Sequence, residues 1–146
     1  LSANDDIIRS DFWRCVIKVL EKSKSSSDQP EQSIALAKEI SQLLADTRCG
    51  AVRLLDLRGL SPICDFLVVA NGTSARQMRS AADDVVDLAE ARQTTILRNG
   101  GASGDNWIAV DLFDIVIHIF APEARQFYDL DGMWADAPEI EWKRRS

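Results

Sequence analysis

Two hydrophobic patterns alternate along the chain: apolar residues three or four apart, and short runs that are apolar almost throughout. The first is that of a helix with one buried face, the second that of a strand buried on both faces. Residues 5–22 (DDIIRSDFWRCVIKVLEK) set Ile8, Phe12, Cys15, Val16 and Val19 at helical spacing, behind Asp5 and Asp6 at the end where the helix dipole favours an acid. They predict an amphipathic helix. Lys24–Gln29 is polar and Ser-rich and runs into Pro30, so it reads as a linker. Ser33–Thr47 carries Leu36, Ile40, Leu43 and Leu44 on one face and predicts a second helix, with Gly50 as a stop close behind. Val52–Leu57 reads as a strand, broken at Arg58–Pro62, and Asp65–Ala70 as a strand near the centre of a sheet. After Asn71–Ser74, with Thr73 or Ser74 as cap, a helix is predicted from Ala75 to Ala91. Its inner stripe is Met78, Ala81, Ala82, Val85, Leu88 and Ala89. Thr94–Arg98 is expected to be a strand, closing a right-handed strand–helix–strand unit, and 99–106 a flexible loop.

The densest stretch is Trp107–Trp134, WIAVDLFDIVIHIFAPEARQFYDLDGMW. Residues 107–112 and 115–120 have the β-branched and aromatic composition of strands, with Phe113 and Asp114 alone between them, which predicts an antiparallel hairpin. Pro122 suits the first position of a short helix and Glu123 its positive end. Period-two alternation puts Trp107 and Asp111 on one strand face and Ile108, Val110 and Leu112 on the other. Since the second set is purely aliphatic, the Trp107/Asp111 face is expected to be the partly exposed one. The expected fold is α/β: a mixed sheet of about five strands flanked by helices, with an N-terminal helical extension. The expected organisation is an appended helix and linker at 1–29, one domain at 30–142 and a basic tail at 143–146, with fraying expected over Glu141–Ser146.

Composition narrows the function. At 146 residues and 46% apolar, one domain with a substantial core is available. The net charge of −6 disfavours general nucleic-acid binding, which needs clustered Lys and Arg, and suits a basic protein partner. Without a run of about 18 apolar residues no membrane-crossing helix is expected. No signal-peptide pattern opens the sequence, and a cytoplasmic location is expected. Cys15, Cys49 and Cys64 are far apart and show no metal-binding spacing, so they read as reduced, mostly buried thiols.

Candidate chemistry is sparse. Gly72-Thr73-Ser74 before a helix resembles an anion-binding turn, but the spacing is neither GxxxxGK[ST] nor GxGxxG, and a capped turn explains it as well. Asp111 and Asp114 could form a metal-binding pair for nucleotidyl transfer, yet they sit three apart across a turn without a clear third carboxylate. They equally suit hairpin-rim residues or acidic contacts for a basic partner. His118, the only histidine, shares a strand face with Val116 and Phe120, where a hydrogen-bonded structural role is commoner than catalysis. Neither a catalytic set nor a cofactor is expected.

The motifs of 65–77 (DFLVVANGTSARQ) and 107–138, together Asp-x6-Gly-Thr-Ser-x-Arg, Trp-x3-Asp-x2-Asp-x3-His and Pro-Glu-x-Arg-x-Phe-Tyr-x-Leu, resemble those of the ribosomal silencing factor (RsfS, or Iojap) family over roughly residues 33–138. The resemblance implies a nucleotidyltransferase-like α/β fold lacking catalytic carboxylates. It also implies a non-enzymatic repressor of translation that binds the large ribosomal subunit through ribosomal protein L-fourteen and blocks subunit joining, often a homodimer in isolation. Carried over by position, Trp107, Asp111, Leu112 and Asp114 would face that protein, with Phe113, Arg125 and Tyr128 as further candidates. A nucleotide-binding or nucleotidyltransferase-like enzyme is the alternative. Two positions depart from the family pattern: Phe113 stands where the family has Gly, and Asn99-Gly100-Gly101 where it has Glu-Gly. Gly adopts a positive φ freely and Phe only at a cost, so either the turn differs or Phe113 is itself a contact.

Overall fold

A computed structural model describes residues 30–61, 64–101 and 106–143. The predicted helix at 5–22, the Ser-rich linker and Cys15 lie outside the described residues. The first described helix, α1, spans Pro30–Asp46. Pro30 opens this helix rather than closing the linker; its fixed φ suits a position whose N–H has no helical acceptor. Strand β1 is Gly50–Asp56, β2 is Phe66–Asn71, and helix α2 is Ala75–Ala91. The chain continues through β3 (Arg98–Gly101), β4 (Trp107–Asp111), β5 (Ile115–Phe120), α3 (Pro122–Tyr128) and α4 (Leu130–Met133).

The sheet is mixed, in the order β1-β2-β5-β4-β3. Four strands of 5 to 7 residues carry it, and β3 adds a 4-residue edge. β2 runs parallel to β5, with Val68 beside Ile117, and the other neighbours are antiparallel. β3 falls later than the expected strand at 94–98 and pairs Asn99 with Val110 and Gly100 with Ala109. Asn and Gly have little strand preference of their own, but pairing with β4 uses only their backbone groups. β3 sits at the edge, separated from β2 by β5 and β4.

Each sheet face has its own core. On one, α1 and α2 bury Leu36, Ile40, Leu44, Met78, Ala82 and Val85 against Leu54, Val68, Val110 and Ile117. On the other, Leu55, Val69, Trp107, Val116 and Phe120 lie under Ala124 and Leu130 of α3 and α4, with Ala137 of the C-terminal stretch. The predicted alternation holds: Ile108, Val110 and Leu112 face the helices α1 and α2, and Trp107 the other side. The open edge of β1 is covered by the C-terminal stretch, where Asp56 N donates to Pro138 O and Ile140 N to Leu54 O. Trp142 packs against the first core, so the ordered structure extends into the stretch expected to fray.

Helix α2 begins where the sequence places it. Ser74 Oγ accepts from Gln77 N at 3.1 Å, and Gln77 Oε1 accepts from Thr73 N at 2.9 Å. Gly72 precedes this cap because the chain passes tightly over Met78: a Cβ there would run into Met78 Cγ. Met78 is buried, so its side chain has little room to yield. Gly72→Ala is expected to lower stability by about 1–3 kcal/mol, read as a lower urea midpoint with an unchanged far-UV spectrum.

Candidate functional site

The β4–β5 hairpin turns where expected, in an unexpected geometry. Leu112 N donates to Ile115 O at 2.8 Å, and Asp114 N reaches back to Leu112 O at 3.0 Å, making a γ-turn centred on Phe113. Phe113 has φ 80°, the conformation that glycine adopts freely and a bulky residue only with strain. The turn thus keeps a positive φ with Phe in place, and the Phe side chain is half-buried at its tip.

The topology gathers carboxylates around this turn. β1 and β4 end at the rim where β2 and β5 begin, so Asp56, Asp65, Asp111 and Asp114 occupy one end of the sheet. Asp114 is held from two sides: Ser33 Oγ of α1 donates to its Oδ2 at 3.1 Å, and its carbonyl accepts from Asp65 N and Phe66 N at 2.9 and 3.0 Å. Asp56 is countered by Arg58 at 2.8 Å, and Arg58 also lies 5.1 Å over the Phe66 ring. Burial, then the charge of Asp114, raises the Asp65 carboxyl above its ordinary value, with Arg58 pulling it down. Burial pushes the Cys64 thiol behind the rim up to about 12, with Asp111, Asp65 and Asp114 adding to it. That thiol stays protonated and unreactive. Among the described residues no three His, Cys, Asp or Glu side chains converge as metal ligands.

The other end of β4 and β5, roughly 17 Å away by strand rise, holds Trp107 and leads into the helix that carries Arg125 and Tyr128. Trp107 is 2% exposed and Asp111 4%, so the face expected to be partly open is closed. The reason is that α3 and the chain after it cover this side of the sheet. Trp107 stacks on Phe120 at 5.2 Å and meets the Tyr128 ring, tilted, at 4.8 Å, and its indole N–H donates to His118 Nδ1 at 2.8 Å. Leu112 is buried as well, on the opposite face. His118 is the structural residue its strand position suggested. Burial lowers its pKa to about 3, so it is neutral at physiological pH and accepts at Nδ1.

Arg125 is committed to holding the fold together. It grips Asp131 with Nε and Nη2, both at 3.0 Å, and donates to Asn71 Oδ1 at 3.0 Å and Ala51 O at 2.6 Å. The Ala51 carbonyl is presented by an irregularity in β1, where Ala51 has φ 48°. Arg53 reaches the same Asp131 at 2.6 Å. This network, linking α3 and α4 to β1, was invisible in sequence, because Arg53, Arg125 and Asp131 share no spacing rule. The Gly72–Ser74 turn is likewise occupied from within: Gly72 N donates to Phe120 O, Thr73 N to Gln77, and the Ser74 side chain caps α2. The capped turn accounts for all three residues.

A small α/β domain with an acidic, strained hairpin rim is the class these features define. A family model described as "Ribosomal silencing factor during starvation" matches residues 30–146. The chain belongs to this ribosomal silencing factor family. It is 34% identical to the "Ribosomal silencing factor RsfS" of Zymomonas mobilis over 81% of this chain and 86% of that protein. It is 32% identical to the protein of the same name from Halalkalibacterium halodurans over 66% of this chain and 82% of that protein. The fold matches a crystal structure from Bacillus halodurans with a TM-score of 0.62 and 27% identity, over 76% of this chain and 98% of that one. No helix among the described residues is long and apolar enough to cross a membrane.

Two variants test the interior. Trp107→Ala should destabilise the domain by about 3–5 kcal/mol, seen in the denaturation midpoint of the protein alone. For Asp131, hydrogen bonds from Arg125 first, with those from Arg53, hold the carboxyl down to about 2. A depressed carboxylate stabilises above its unfolded pKa, and that contribution fades as pH falls toward 2. Asp131→Asn should therefore cost about 1 kcal/mol at neutral pH, allowing for partial solvent screening. The gap to wild type should narrow between about pH 4 and pH 2. The buried His118 is common to both proteins and cancels in the difference.

Proposed function

We propose that this chain is a steric repressor of translation. It binds the large ribosomal subunit through ribosomal protein L-fourteen and blocks joining of the small subunit, without catalysing a reaction. The observation that carries this reading is the Phe113–Asp114 turn: strained, partly exposed, braced by Ser33 and by the backbone of Asp65 and Phe66, and ringed by carboxylates. Strain held by surrounding contacts is typical of binding sites, and a rigid acidic tip suits a basic protein surface. The family membership and the net charge of −6 support the same partner.

Within this reading the residues divide by burial. Phe113 and Asp114 make direct contact. Asp111 and Leu112 lie just beneath and set the angle of the turn. Trp107, Arg125 and Tyr128 act at a distance, by fixing the far end of the hairpin and the helix after it. A cytoplasmic location and a homodimer in the absence of ribosomes belong to the same proposal.

Affinity for purified large subunits, measured by interferometry across a salt series, tests it. Asp114→Lys is expected to weaken binding by about tenfold or more and to flatten its salt dependence. Phe113→Gly is expected to weaken binding while raising stability by up to about 1 kcal/mol, because release of the φ strain outweighs the added freedom of the unfolded chain. Unchanged affinity in both variants would remove the turn from the docking surface.

A further inference from the structure

Beside the Phe113–Asp114 turn lies a hollow of about 690 Å³, between the start of α1, the end of α2 and the base of the turn. Leu36, Leu112 and Ile115, all buried in the first core, give it an aliphatic floor. Its edge is polar. Ser33 Oγ donates to the Asp114 carboxylate there at 3.1 Å, and Arg92 pairs with Glu39 at 2.6 Å. The amino end of α1 and the carboxyl end of α2 both reach the hollow, so their dipoles oppose and the side chains set its sign. Among the described residues that line it, Asp114 and Glu39 are negative and Arg92 alone is positive. Glu39 and Arg92 neutralise each other, and Asp114 leaves the hollow negative. An aliphatic floor beneath a carboxylate fits a long cationic side chain, whose carbon stem lies on apolar surface while its head reaches the acid.

We propose that this hollow receives a lysine or arginine side chain of the basic protein on which the turn docks, with the charged end at Asp114. This recognition rests on the docking role proposed for the turn and adds a second point of contact to it. Asp114 belongs to both the turn and the hollow, so a surface that meets the tip also lies over the mouth of the hollow. The volume is that of a ligand-sized cleft, enough for one long side chain and parts of the residues flanking it. The bond from Ser33 does not close the site to a cation, because a carboxylate has about four acceptor positions. The hollow then selects among surfaces as well as binding one. A partner without the cation would cover Asp114 and give it no counter-charge, which is how an interface rejects a wrong partner.

Position 35 tests this without touching Asp114. Ala35 is exposed on α1 and lines the hollow. Affinity of the full chain for purified large subunits is compared for wild type, Ala35→Arg and Ala35→Glu. Ala35→Arg is expected to weaken binding by about tenfold or more, because it sets a like charge against the incoming cation. Ala35→Glu is expected to bind as tightly as wild type or more so, with a steeper salt dependence. Equal loss in both variants would report blocked space rather than charge and would overturn the proposal. Affinity unchanged in Ala35→Arg, where wild type binds and Asp114→Lys is weakened, would overturn the hollow and leave the turn in place. No binding by wild type at low salt would remove both. A benzophenone side chain introduced at position 35 and photolysed on large subunits identifies the occupant. Attachment beside a lysine or arginine of a ribosomal protein is expected; attachment to ribosomal RNA, to a second copy or within the same chain would overturn the proposal.

Discussion

Two strands in the middle of this sheet have almost no face turned to water. Phe66–Ala70 and Ile115–Phe120 are buried residue by residue, and they run parallel, each needing its own cover on both sides. Helices α1 and α2 supply one cover; α3, α4 and the C-terminal stretch supply the other. Because β2 and β5 share a direction, their starts coincide at one end of the sheet, where the antiparallel β1 and β4 stop. The acidic rim follows from that register. No single segment of sequence encodes it; the β1–β2 connection and the β4–β5 turn each bring two aspartates to the same edge.

The two ends of the β4–β5 hairpin are built for different tasks. At the far end, Trp107, His118, Phe120 and Tyr128 interlock, and Arg125 ties α3 to β1 through Asp131 and the Ala51 carbonyl. At the near end the chain is forced through a γ-turn at φ 80° that Phe113 would not choose, and the Asp114 carbonyl is pinned by two N–H groups. A rigid far end lets the near end hold this strain. The result is an acidic tip braced by hydrogen bonds, and such preorganisation lowers the cost of binding under the proposed docking role.

Much of this was legible in the chain. The boundaries of α2 followed from spacing and its Thr73/Ser74 cap, the faces of β4 from alternation, and the structural role of His118 from its place on an apolar strand. The candidate site was read less well. The pure aliphatic set Ile108–Val110–Leu112 correctly marked one core face, but a second core beyond the sheet left Trp107 and Asp111 no exposed side. Periodicity reports that a strand has two faces; it does not report that a short helix such as α3 will cover the second. The strand expected at Thr94–Arg98 forms instead at Arg98–Gly101, starting four residues later, through backbone pairing with β4. The Arg53–Asp131–Arg125 network joins residues far apart in sequence and had no local signature.

The central claim is that the domain occupies the large subunit and so keeps the small one away. Sedimentation through a sucrose gradient with purified large and small subunits tests this most directly. The chain is expected to migrate with large subunits and not with small ones, and joined particles are expected to diminish when all three are mixed. A chain that stays at the top of the gradient at low salt, or that travels with joined particles without reducing them, would contradict it.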